Sequence, residues 1–167
     1  MKVLGIDPGS ATVGYGVVER TASPGSSARL LECGILRTRP RESLQRRLAV
    51  IHAGLHELIA RHRPDVLAVE GIFYATNVRT TIVLSHARGV ILLAGAQAGI
   101  AVAEYSPALV KKTVVGRGAA LKPQVGYMVA KLLKLSEAPR PADAADAVAV
   151  ALTHLLTGFR RGNGVQR

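Results

Sequence analysis

KVLGIDPGSATVGYGVVER, residues 2–20, sets the frame in which the rest of the chain is read. Lys2 to Ile6 is short and apolar, Asp7-Pro8-Gly9-Ser10 has the composition of a turn, and Val13 to Glu19 is apolar again, with glycines at 14 and 16. Two short apolar runs separated by turn residues predict a β-hairpin. Leu31, Cys33 and Ile35 alternate with Glu32 and Gly34, which predicts a third strand over about 29–37, with Ser23 to Ser27 as the intervening loop. Three early strands on short links make an antiparallel meander.

Beyond the meander the period changes. Leu44, Leu48, Ile51, Leu55 and Leu58 recur every three or four residues and predict a helix over about 42–62, whose other face carries Arg46, Arg47, His52 and His56. Pro64 ends it, and Val66 to Glu70 (VLAVE) reads as a buried strand. A helix over about 78–98 is apolar on more than one side, broken by Arg79, His86 and Arg88, a pattern that belongs in a core or a subunit interface. Ile100 to Tyr105 is a fifth strand. Ser106 to Val114 reads as a short helix, Gly116-Arg117-Gly118 as a loop, and 122–134 and 142–157 as two further helices. A strand that follows a helix adds parallel to the sheet. The expected fold is therefore α/β, a mixed five-stranded sheet with helices on both faces. Residues 1–158 form a single domain, and 159–167 (FRRGNGVQR) are a short, disordered basic tail.

The 167 residues include 22 Lys and Arg against 11 Asp and Glu, a formal net charge of +11 that favours a polyanionic partner such as nucleic acid. With 49% hydrophobic residues the chain can bury a core, which argues against global disorder. The longest uncharged stretch, Gly89 to Ala103, is shorter than the roughly 18–20 residues of a membrane span. The N-terminus reaches Asp7 too soon for a signal peptide, and Cys33 stands alone, which excludes an internal disulfide or a Cys-based zinc site. A cytoplasmic protein with no membrane partner is expected.

Four of the acids stand out. Asp7 closes the first strand and Glu70 the fourth, so if those strands are neighbours running the same way, both carboxylates enter one crevice. Asp143 and Asp146, three residues apart at the start of the last helix, share a face of it. Singly each has a plain structural reading. Asp7 is a turn former and Glu70 a solvated strand end, while Asp143 and Asp146 are first-turn acids that favour the helix dipole. Together they repel one another unless a cation intervenes, and oxygen-only ligands favour Mg²⁺ or Mn²⁺. Two such ions can activate a water and stabilise the leaving oxygen of a phosphodiester.

These residues fall within longer matches. GIDPGSATVGYGVVE at 5–19, EGIFYATN at 70–77, SHARGV at 85–90, VKKTVVGRGAALKPQV at 110–125 and ADAADAVAVALTH at 142–154 resemble the RuvC family of bacterial Holliday-junction resolvases, a likeness that spans about residues 1–157. The resemblance implies a ribonuclease-H-like fold, a homodimer and Mg²⁺-dependent cleavage of four-way DNA junctions. It assigns Asp7, Glu70, Asp143 and Asp146 as metal-binding acids and Lys111 and Lys122 as basic residues near the scissile phosphate. It assigns Phe73 as an aromatic that stacks on bases of the opened junction, and implies the RuvA–RuvB branch-migration complex as a partner.

On their own terms, Lys111, Lys112, Arg117, Lys122, Lys131, Lys134 and Arg140 face only Glu137 between residues 111 and 140. They read as a phosphate-binding surface or as a solvated face. Phe73 and Tyr74, just after Glu70, suit base stacking or a hydrophobic plug. His52 and His56 read as part of an exposed basic face, and His154 as structural. Two other functions compete with a junction nuclease. One is a catalytically silent junction-binding module. The other is a sugar-kinase or actin-like ATPase, whose phosphate loop also follows a first strand with Asp-x-Gly-Ser but whose two-domain build leaves 167 residues short.

Overall fold

The computed structural model describes residues 1–9, 11–20, 28–71 and 78–158, apart from the side chain of Arg79. Three strands, β1 (Lys2–Asp7), β2 (Thr12–Arg20) and β3 (Ala28–Arg37), lead into α1 (Leu44–His62) and β4 (Val66–Glu70). Then come α2 (Val78–Gln97), β5 (Ala101–Tyr105), α3 (Pro107–Val115), α4 (Lys122–Leu133) and α5 (Ala142–Thr157). The sheet order is β3-β2-β1-β4-β5. β1–β2 and β2–β3 are antiparallel, and β1–β4 and β4–β5 are parallel, as the helical crossovers require. The expected boundaries shift by at most two residues. Ser43 caps α1, its side chain accepting from the Arg46 N–H, so the helix starts at Leu44 and not at residue 42. Arg63, in the left-handed region at φ 46°, ends it one residue before Pro64.

The sheet separates two apolar layers. On one side Leu4, Ile6, Leu67 and Val69 pack with Ile51 and Leu55 of α1 and Ile91 of α2. On the other, Val3, Val18 and Ala68 pack with Val110 of α3, Val129 of α4 and Val148 of α5. Alternation along the strands then fixes where the polar ends fall. Gly5 faces α5 and so does Asp7; Ala68 faces α5 and so does Glu70. Because Ile6 pairs with Val69, Asp7 and Glu70 end adjacent parallel strands on the same face.

α5 lies unusually close to the sheet. A Cβ at Gly5 would stand 2.2 Å from the Ala147 carbonyl oxygen, and one at Gly14 would stand 2.1 Å from that of Asp143. On the helix side the contact at Gly5 is made by fully buried alanines, Ala147 and Ala151. The glycines of the first hairpin are therefore a seat for α5, and the seat sets the height of Asp143 above the sheet. Gly14→Ala forces helix and hairpin apart, an overpacking change that costs about 1–3 kcal/mol. Urea denaturation should register that loss, and the variant should also bind divalent cations more weakly than the parent.

Candidate active site

Asp7 is mostly buried at the end of β1. Burial, then the charge of Glu70 and a hydrogen bond with it, push the Asp7 carboxyl up to about 8. Burial likewise raises Glu70, partly opposed by its hydrogen bond to Asp7 and by the charges of Lys122 and Lys111. Burial thus favours a proton on this pair. α5 brings in the other pair. One oxygen from each of Asp7, Asp143 and Asp146 lies within 4.8 Å of the others, with Glu70 attached through Asp7. The four acids drawn from three separate parts of the sequence thus meet at the carboxyl ends of the central strands.

Lys122, the first residue of α4, enters the cluster from the side. Its Nζ lies 2.8 Å from Asp146 Oδ2 and 4.0 Å from Asp143 Oδ1. The hydrogen bond with Asp146 raises its pKa and keeps it charged. Lys111 on α3 is near enough for its charge to act on Glu70. Lys112 and Arg117 are exposed near the end of α3, and among the described residues neither pairs with the four acids. Gly116, at φ 95°, ends α3 in a conformation that favours glycine and turns the chain toward Arg117. Phe73 and Tyr74 lie outside the described residues, as does the tail 159–167.

Thr12 is the site residue that sequence reading missed. Its Oγ1 donates to Asp143 Oδ2 at 3.0 Å, fixing one carboxylate from the β2 side. Thr12 shares a sheet face with Gly14 and Gly16, so the glycine alternation that marks the α5 seat could have found it. The histidines stay out of the chemistry. His52 is half-buried, not wholly on an exposed face, with Nε2 2.8 Å from Gln97 Oε1. His154 lies about 16 Å down the helix from Asp143, where its Nδ1 meets the Tyr105 hydroxyl at 2.6 Å.

Oxygen-only donors at this spacing fit a hard divalent cation, whose charge would favour the ionised form of carboxyls that burial raises. The sequence profile of the family described as Crossover junction endodeoxyribonuclease RuvC matches residues 3–154. The chain belongs to the RuvC family. The RuvC of Moorella thermoacetica is 51% identical over 154 residues, 92% of this chain and 90% of that protein. The RuvC of Pelotomaculum thermopropionicum is 48% identical over the same length, 92% of each. The structure of Thermus thermophilus RuvC superposes with a TM-score of 0.88 at 39% identity and 96% coverage of both chains. The same protein in complex with a Holliday junction substrate gives 0.89. The fold is thus ribonuclease-H-like, and RuvC membership removes the grounds for the ATPase reading.

The raised Asp7 carboxyl has a thermodynamic consequence. A carboxyl whose folded pKa lies above its unfolded value of 3.8 stabilises the fold below that value, and the contribution fades as pH rises through about 8. Without divalent metal, the parent should therefore lose stability between pH 5 and pH 8. The advantage of Asp7→Asn, which cannot ionise, in melting temperature over the parent should be larger at pH 8 than at pH 5 by about 3 °C or more. Thermal melts in EDTA at both pH values test this, and an equal advantage at the two would refute it.

Proposed function

We propose that this protein is a structure-specific endodeoxyribonuclease that resolves four-way DNA junctions in recombination and repair. The observation that carries the reading is the family match over residues 3–154, with the four carboxylates gathered at one end of the sheet. Asp7, Glu70, Asp143 and Asp146 hold two Mg²⁺ ions, for which Mn²⁺ can substitute. When bound, the ions lower the pKa of a water and neutralise charge on the leaving oxygen. Water adds to phosphorus in line with O3′ and the P–O3′ bond breaks, leaving 5′-phosphate and 3′-hydroxyl ends. No side-chain nucleophile is needed.

The protein's own residues select and orient the phosphate. Lys111 and Lys122 flank the acids and attract the scissile phosphodiester, while Lys112 on α3 and Arg117 beyond its end extend the positive surface. Phe73 and Tyr74, three and four residues after Glu70, stack on bases of the opened junction, with Phe73 the principal contact. The protein acts in the cytoplasm, in concert with the RuvA–RuvB complex. No helix of the described residues is long and apolar enough to cross a membrane.

A homodimer fits the substrate's two-fold symmetry, with one nick delivered by each protomer. α2 supplies a suitable face. Ala87, Ile91 and Ala94 are buried, whereas Val78, Ile82 and Leu93 are 73%, 51% and 50% exposed. Those three form one stripe with Gly89, beside which there is open space. Ile82→Asp should yield a monomer in light scattering and uncouple the two nicks; a variant that stays dimeric excludes this face.

Cleavage itself is tested on a synthetic four-way junction in Mg²⁺ or EDTA. Asp7→Asn and Glu70→Gln should reduce cutting by at least about 10³-fold while junction binding persists, since each removes a metal ligand and leaves the basic surface intact. Normal cutting by either amide variant in Mg²⁺ would overturn the metal assignment.

A further inference from the structure

One strongly charged surface stands apart from the residues assigned so far. Between β3 and the first turns of α1, residues 37–47 carry Arg37, Arg39, Arg41, Arg46 and Arg47 against Glu42 alone. The first four are exposed, Arg39 with 86% of its side chain open to solvent. Glu42 offsets only Arg39, at 3.8 Å. Among the described residues Arg37, Arg41 and Arg46 form no ion pair with an acid.

Their position works against local stability. The start of a helix carries partial positive charge and favours Asp or Glu in its first turn, whereas cations there are unfavourable. α1 has no acid in its first turn, and Arg46 and Arg47 stand there instead. The helix end and its arginines thus add into one positive field, offset only by Glu42 beside the cap. Arg47 anchors the segment, its Nε donating to Thr38 Oγ1 at 3.3 Å. Thr38 is buried, and its N–H and its hydroxyl both donate to the Ala11 carbonyl at 2.9 Å.

That tether connects the arginines to the acids. Ala11 precedes Thr12, which pairs with Arg37 across the sheet and holds Asp143 through its hydroxyl. At about 5 Å between strands, the arginine segment begins roughly 10 Å from the carboxylates, or about three nucleotides at 3.4 Å each. It lies on the β3 side of the acids. Lys111, whose charge reaches Glu70 of β4, lies on the other.

We propose that Arg37, Arg39, Arg41 and Arg46 form a second phosphate-binding track that grips the backbone of a duplex arm on the β3 side of the cleavage site. The inference rests on the nuclease reading and deepens it. Four exposed guanidinium groups on a fixed segment recognise the regular spacing of duplex phosphates, and they read no base sequence. The track supplies affinity and direction: it sets the path by which an arm leaves the acids.

The test is junction binding in EDTA across a salt series, for the parent, for R39A/R41A/R46A and for R39K/R41K/R46K. Each phosphate that an arginine no longer neutralises lowers the log–log salt slope by about 0.9. The alanine variant should therefore be shallower by about 2–3 and bind ten- to a hundredfold more weakly near physiological salt. The lysine variant should recover most of the affinity. The alanine variant should melt no lower than the parent, because Arg46 opposes the helix dipole. An unchanged slope and affinity in the alanine variant would overturn the track while leaving the nuclease reading in place. A parent that fails to bind junctions defeats both. Ethylation interference on the parent complex gives an answer that needs no folded variant. Blocked phosphates along an arm, a few nucleotides from the crossover, support the track; interference confined to the crossover refutes it.

Discussion

Two carboxyl groups at the ends of adjacent parallel strands, both withdrawn from water, are the constraint around which this molecule is arranged. Asp7 and Glu70 cannot both carry full charge at neutral pH without help, and burial raises each of them. Help comes from several directions. Lys122 brings an ammonium group to Asp146, Lys111 acts on Glu70 from α3, and the surrounding chain carries a large excess of basic residues. A minority of acids inside a basic protein is costly to maintain. Such an arrangement makes sense where a cation and a polyanion meet, and those are the two species a phosphodiester-cleaving site must bring together.

The acids also show how work is divided among layers. The sheet contributes Asp7 and Glu70, whose spacing follows from strand register. α5 contributes Asp143 and Asp146 as a rigid pair on one helical face. α4 begins at Lys122, and its first turn points that ammonium back at the pair. Each contribution depends on a different backbone element, so the geometry of the centre depends on how closely those elements pack.

Much of this was legible beforehand, because the elements carry strong local patterns. The Leu44–Leu58 periodicity, the VLAVE run and the Asp-Pro-Gly turn each have one dominant reading, and the boundaries they imply agree with the structure to within two residues. The four acids were legible because two end apolar strands and two share a helix turn. Thr12 was not, since a hydroxyl at a strand start has many uses and only α5 overhead reveals which one applies. His52 read as solvated because helical periodicity shows which face it lies on but not that Gln97, 45 residues later, reaches across to it. Arg37 read as a strand end, and Arg46 and Arg47 as the outer face of a helix. Their meaning depends on Thr38 and Ala11 lying side by side, a contact that no local pattern encodes.

The seat of α5 on Gly5, Gly14 and Gly16 carries a further consequence, for how such a protein can change over generations. Those positions have no spare volume: any side chain would meet the helix backbone or the Val148 side chain. A lineage could vary much of the exposed surface of its helices, but at these glycines nearly every mutation would displace Asp143 along with the helix. In a survey of random variants they would score with the four clustered acids, though a glycine has no side chain with which to act on a phosphodiester. Functional intolerance here marks the distance between two backbones, and an inventory of essential residues would need that distinction before assigning them chemistry.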